Sequence, residues 1–175
     1  TEILAETKIK NGGSNLHANA ITQLASGNIV VVYENSSDID LQIFNNNGES
    51  LITLENINTT RDSTQYEPTV TALNDGGFVV SWTSYYQDGN DTGVVFQRFD
   101  GDGTPVGDET IANTSTSNSQ YQSTPLALPD GGFAIAWYSG NGNHVSYQSL
   151  DSDGVKEGYE KQINASNYNT SRDPQ

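Results

Sequence analysis

A ten-residue phrase occurs twice almost unchanged, and that repetition constrains the fold more than any other feature. Leu73-Asn74-Asp75-Gly76-Gly77-Phe78-Val79-Val80-Ser81-Trp82 returns as Leu128-Pro129-Asp130-Gly131-Gly132-Phe133-Ala134-Ile135-Ala136-Trp137. A worn copy, from Leu24 to Tyr33, precedes them. The closing aromatics Tyr33, Trp82 and Trp137 stand 49 and 55 residues apart. The flanks keep phase: Gln42-Ile43-Phe44 answers Gln97-Arg98-Phe99 and Gln148-Ser149-Leu150, each followed by an Asn/Asp/Gly turn. Ile57-Asn58, Ile111-Ala112-Asn113 and Ile163-Asn164 close the units, with Ile9-Lys10-Asn11 as the copy at the start. Such a period means one supersecondary unit stacked on itself. The units read as 2–52, 53–107 and 108–158, with the start of a fourth over 159–175.

Each unit reads as four short antiparallel strands. In the second unit they are expected over 68–73, 78–82, 94–99 and 109–112, with a longer loop over 83–92. Pro68 begins a strand without losing a ladder bond. Asp75-Gly76-Gly77 carries the strongest kind of short hairpin signal. Phe78, Val80 and Trp82 share one face of strand two, and Val79 and Ser81 the other. In the third copy Ala134 and Ala136 keep that second face apolar, so both faces read as covered by neighbours. No segment sustains a helical period. The fold class is therefore all-β: β-propeller-like blades of four antiparallel strands, with about three repeats in the chain. An immunoglobulin-like array would need about 100 residues per module. A stacked or filamentous β-repeat array is the competing architecture. Closed propellers use about 4–8 blades, so three copies leave apolar faces open and self-association is expected.

Charge narrows the partners. The chain has 22 acidic and 7 basic residues, a net charge of −15. Nucleic acid needs Lys and Arg against its phosphates, and an anionic membrane needs a basic patch; both are excluded. The longest apolar run, Ile29 to Tyr33, is far too short to span a bilayer, so no membrane insertion is expected. Cysteine and methionine are absent, which removes disulfides and thiolate metal sites. With neither an initiator Met nor a leader, the chain reads as a mature or excised piece. The acidic, Asn-, Ser-, Thr- and Gly-rich composition points to an extracellular or cell-surface bacterial setting.

The pattern Leu-x-Asp-Gly-Gly-Phe-x-x-x-Trp, then Gln-x-Phe-Asp-x-Asp-Gly-x-x-x-Gly, then Ile-x-Asn, resembles a repeat of large secreted bacterial proteins of the RTX-adhesin and haemolysin-type calcium-binding kind. The match is best over 72–113 and poor before Ser26. The resemblance implies a secreted or surface setting, propeller-like blades and a calcium-rich environment. It does not carry calcium ligands, because the Gly-Gly-x-Gly-x-Asp nonapeptides are missing.

Two sets of residues stand out as candidate sites. Asp100 and Asp102, and Asp151 and Asp153, sit in Asp-x-Asp-Gly turns and would offer oxygens to calcium. Equally, Asp and Gly at these positions suit a plain hairpin turn, and the first copy keeps the turn with Asn45-Asn46-Asn47-Gly48. The second set is the loop Tyr85, Tyr86, Asp88, Asn90 and Asp91. Rings to stack on and polar atoms to bond hydroxyls are what a sugar site uses. Loops in the same place in the other copies differ, which suggests a binding face on a constant frame. Trp82, Trp137 and Tyr33 read as core. Tyr66 and Tyr121 either plug the seam between blades or line a surface pocket. His17 and His144 fall in non-equivalent loops with no metal-like spacing.

These readings combine into a non-enzymatic extracellular surface or adhesion module. It would bind carbohydrate or a protein on a surface, with calcium as the cofactor. Two other functions stay open: a structural repeat that assembles a filament or layer, and a glycoside hydrolase on a propeller frame. No Gly-x-Ser-x-Gly elbow or Cys nucleophile is present, and carboxylates abound in the turns and linkers.

Overall fold

The computed structural model of the chain describes residues 16–140 and 144–163. Among them are twelve strands and no helix. The first sheet holds β1 (Leu16–Gln23), β2 (Ile29–Asn35), β3 (Asp38–Phe44) and β4 (Ser50–Leu54). The second holds β5 (Gln65–Ala72), β6 (Phe78–Tyr85), β7 (Thr92–Phe99) and β8 (Pro105–Ile111). The third holds β9 (Gln120–Ala127), β10 (Phe133–Ser139), β11 (His144–Leu150) and β12 (Lys156–Gln162). Every sheet is an antiparallel meander in chain order. The first strands of successive sheets lie against one another, β1 on β5 and β5 on β9. Each sheet is thus a propeller blade with its first strand innermost. The repeat copies at 9–11 and from Asn164 onward lie outside the described residues. No helix among those described is long and apolar enough to cross a membrane.

The Asp-Gly-Gly phrase is a requirement of the first hairpin. The Leu73 N–H donates to the Gly77 carbonyl at 2.9 Å, and the Gly76 N–H donates back to Leu73 at 3.2 Å. Gly76 sits at φ +91, where a side chain is strained. Gly77 is needed for a different reason: a Cβ there would lie 2.4 Å from the Phe99 carbonyl oxygen. Gly131 and Gly132 repeat both conditions in blade three.

Two cores form, one at each blade interface. Val30, Val32 and Leu41 of blade one meet Phe78, Val80 and Trp82 of blade two. Val79, Val94 and Phe96 of blade two meet Phe133, Ile135 and Trp137 of blade three. Tyr33, Trp82 and Trp137 are all buried, as core residues should be. The Trp82 Nε1–H donates to Gln65 Oε1 at 3.1 Å, so its polar edge is satisfied. Truncating such a ring to Ala typically costs about 3–5 kcal/mol. β6 and β7 are buried on both faces, because blade two has a neighbour on each side. β10 alternates buried residues with half-buried Ala134 and Ala136 and exposed Tyr138, so the doubly covered sheet read from the sequence holds fully for blade two and less for blade three.

The strand ends also differ from those the sequence suggests. β6 runs on to Tyr85 and β7 begins at Thr92, which shortens the expected loop to 86–91. Thr83 and Ser84 are polar yet fully buried, paired with Val94 and Gly93 across the hairpin. His17 and His144 lie in strands, not loops.

Buried asparagines fasten the linker after each of the first two blades to that blade's third strand. Asn113 Oδ1 accepts the Val94 N–H at 2.9 Å, and its amide donates to Asp88 Oδ2 at 2.8 Å and to the Ser115 carbonyl at 3.0 Å. Asn58 does the same for Ile39, Asp38 and Thr60. The recurring Ile-x-Asn is therefore a structural latch. Asn113→Ala would strand a buried N–H, and chemical denaturation should show a loss of about 2–3 kcal/mol. A loss below about 0.5 kcal/mol would mean that the latch carries no load.

Candidate functional site

The innermost strands carry an irregularity that sequence periodicity does not display. In β5, Tyr66 pairs with Thr83 and Thr69 pairs with Ser81, so Glu67 and Pro68 face the single residue Trp82. This is a β-bulge, a device that re-aims a side chain. Its first residue, Glu67, has φ +54. β9 has the same bulge, and Gln122 has φ +53. β1 shifts register at the matching place, between His17 and Asn19. A left-handed non-glycine residue costs about 1–3 kcal/mol and persists only where its surroundings fix it.

The preceding blade does the fixing. Glu34 at the end of β2 accepts the Glu67 N–H at 2.5 Å. Thr83 in β6 accepts the Gln122 N–H at 3.2 Å. The Gln122 amide then donates to Glu67 Oε1 at 3.2 Å, while the Thr83 hydroxyl lies 3.5 Å from Glu67 Oε2. Polar contacts thus run from blade one to blade three through Glu67.

Glu67 and Asp91 line one cavity of about 300 Å³, together with Tyr66, Tyr85, Tyr121 and Gln122. Asp91 stands on its exposed rim and accepts a hydrogen bond from the Ser119 hydroxyl. Glu67 is half-buried between the rings. A second depression, of about 260 Å³, opens on the other side of Glu67 and Gln122, against Pro68, Thr69, Ser123 and Thr124. Burial holds the Tyr66 phenol well above its usual pKa, with further contributions from Tyr85, Glu67 and Asp91. Tyr66 therefore stays neutral, with its hydroxyl hydrogen-bonded to the Tyr85 side chain.

A larger cavity, about 740 Å³, lies against the outer strands of blade three near His144, Tyr159 and Glu160. Its one carboxylate is already engaged: Glu160 Oε2 accepts the N–H groups of Thr114 and Ser115 at 2.8 and 2.9 Å. The cavity of about 300 Å³ is lined by two carboxylates, Glu67 and Asp91.

The loop residues singled out from the sequence separate into two groups. Tyr85 and Asp91 line the cavity, and Tyr86 extends Tyr85, ring centroids 6.0 Å apart. Asp88 turns inward to Asn113, and the Asn90 amide donates to the Thr116 carbonyl at 2.7 Å, so both brace the loop. The Asp turns lie elsewhere. Asp100 Oδ1 accepts the N–H groups of Asp102 and Thr104 at 3.0 and 2.8 Å. Asp151 Oδ1 does so for Asp153 and Val155, and Asn45 for Asn47 and Glu49. An amide oxygen performs this task as well as a carboxylate, which is why Asn stands in the first copy. Among the described residues, no three His, Asp or Glu side chains gather as a metal site would require. Sequence reading passed over Glu67 and Gln122, although the recurring Gln-Tyr-Glu/Gln before strand one marked their place.

No protein-family model matches the chain, and no curated protein matches it. Solved structures do. An endo-arabinase from Bacteroides thetaiotaomicron superposes with a TM-score of 0.57 at 15% identity, over 88% of this chain and 64% of that one. A thermostable family-43 glycoside hydrolase gives 0.54 at 12% identity, over 91% and 58%. An exo-β-1,3-galactanase from Clostridium thermocellum gives 0.57 at 11% identity, over 84% and 37%. The chain spans less than two thirds of each. At these identities the likeness establishes the fold.

It also overturns the resemblance to RTX adhesins, together with the calcium-rich adhesin setting and the non-enzymatic surface module inferred from it. The Asp-Gly-Gly and Asp-x-Asp-Gly phrases that carried that resemblance are hairpin turns within the blades. They report the blade, not its parent protein. The structural likeness falls on glycoside hydrolases, so the expectation that the chain is no enzyme is corrected as well.

Tyrosine burial has a consequence at high pH. Unfolded tyrosine loses its proton near pH 10. Folded Tyr33 is pushed up to about 12, chiefly by burial and then by Asp40 and Glu55, and Tyr66 is raised in the same sense. This contribution to stability is complete below about pH 10 and is lost as pH rises through the folded values. Tyr66→Phe should flatten the fall in melting temperature above about pH 10. An unchanged slope would contradict the burial of that phenol.

Proposed function

We propose that the chain supplies the cleft of a glycoside hydrolase that cleaves a plant- or microbe-derived polysaccharide. The observation that carries this reading is the pairing of Glu67 and Asp91 across one tyrosine-lined cavity at the innermost strands. Two carboxylates flanking a bond are the common machinery of glycoside hydrolysis. Tyrosine faces and edges suit sugar rings, which present apolar C–H faces and polar hydroxyls.

In this reading Glu67, half-buried among the rings, protonates the leaving glycosidic oxygen. Asp91, on the open rim, takes a proton from the attacking water. The carbon–oxygen bond of the glycoside breaks as the new bond to water oxygen forms. The Gln122 amide keeps Glu67 in place, and the tyrosines of the cavity wall receive the sugar. The similar proteins named for arabinan- and galactan-cleaving activities make those polymers the first substrates to try. Polymers of that size are met outside the cell, which fits an extracellular enzyme.

Glu67→Gln is a clean test, because Gln122 already occupies the same left-handed bulge in blade three. The variant should keep its melting temperature and its β-sheet circular dichroism. Release of reducing sugar from arabinan or β-1,3-galactan should fall by about 10²–10⁴-fold, and Asp91→Asn should act alike. Activity unchanged in either variant, or none in the parent chain, would reject the proposal.

A further inference from the structure

We infer that this cleft takes an uncharged, extended glycan laid across blades two and three, and not a single terminal sugar; the inference rests on the glycan-cleaving reading above. Five tyrosines stand at the site in two groups, one from blade two and one from blade three. Tyr86 neighbours Tyr85 at 6.0 Å between ring centroids, and Tyr85 neighbours Tyr66 at 5.4 Å. Across the cavity, Tyr121 stacks on Tyr138 at 6.0 Å and 28°. Tyr66 and Tyr121 hold the same place in successive blades, one residue before each bulge. The repeat therefore sets an aromatic group at each of the two bulges, around the cavity that Glu67 lines.

The outer members of these groups are open to water. Tyr86 is 69% exposed and Tyr138 43%. Neither lines the central cavity, and Tyr86 holds its exposed position with φ +57. Rings beyond the carboxylates have nothing to contact on a monosaccharide. They do have a partner in a chain that continues past the cleavage point in both directions. The second depression beyond Glu67 and Gln122 shows that the groove does not end at the carboxylates.

Charge selects among such chains. Glu67 and Asp91 line the cavity, Glu34 lies behind Glu67, and no Lys or Arg lines it. With a net charge of −15, the protein repels a polyuronate and accepts a neutral polymer.

Isothermal titration of the full Glu67→Gln chain tests this directly. The probes are arabino- and β-1,3-galacto-oligosaccharides as disaccharide and hexasaccharide, with a galacturonate hexasaccharide at low ionic strength. A neutral hexasaccharide should bind at least about tenfold more tightly than its disaccharide. Tyr86→Ala and Tyr138→Ala should each shrink that ratio about threefold or more, and the galacturonate should not bind. Both side chains are exposed, and unchanged melting temperatures will confirm that the variants are folded. Equal affinity at both lengths, or tighter galacturonate binding, overturns the inference. If the parent chain still cleaves neutral glycan through Glu67, the catalytic reading survives that result. If no neutral glycan is bound or cut, both fail.

Discussion

The inner-strand bulge is the constraint on which the rest of the site depends. A regular β5 would send Tyr66, Glu67 and Pro68 to alternate faces. One extra residue opposite Trp82 breaks that alternation and turns Glu67 toward the cavity. The left-handed backbone this needs is unfavourable in isolation. Its amide is satisfied by Glu34 from the neighbouring blade, so the strain at Glu67 is held by the packing of blade one on blade two. Position 122 solves the same problem with Thr83. Site and fold are thus one object: the hydrophobic seams bring blades close enough for these bonds, and the bonds hold the side chains that face the cavity.

The same division of labour explains where charge resides. Many of the acidic groups serve the backbone. Asp75 and Asp130 bond the N–H groups of Gly77 and Gly132, Asp100 and Asp151 close turns, and Glu109 and Glu160 hold the linkers between blades. Glu67 is different because its oxygens meet only side chains, the Gln122 amide and the Thr83 hydroxyl.

The repeat made the blades legible because hairpin turns leave a local signature. The left-handed glycine recurs in all three turns, as Gly27, Gly76 and Gly131, while the second glycine recurs in blades two and three and is Asn28 in blade one. Core positions such as Phe78 and Trp82 were legible through their alternation. The ends of β6 and β7 were not, because Thr83, Ser84 and Thr92 are polar residues buried by tertiary packing. Glu67 was hidden for a related reason. Pro68 marks a strand start in sequence, yet here it sits inside a strand, at the bulge where its missing N–H does no harm. Tyr85 and Asp91 were visible as unusual chemistry, and Tyr66 and Tyr121 as seam or pocket residues, whereas Gln122 comes from β9, a strand of the next blade. The turns that suggested an adhesin were legible but not specific, since Asp and Gly there do the work of a hairpin turn.

A crystal structure of Glu67→Gln soaked with a neutral arabino- or galacto-oligosaccharide addresses the central claim most directly. The account predicts sugar rings against Tyr85 and Tyr121, with a glycosidic oxygen within hydrogen-bond reach of the side chain at position 67 and a water beside Asp91. A glycan seated instead in the larger cavity by Tyr159 and His144, leaving the Glu67 cleft unoccupied, would contradict it.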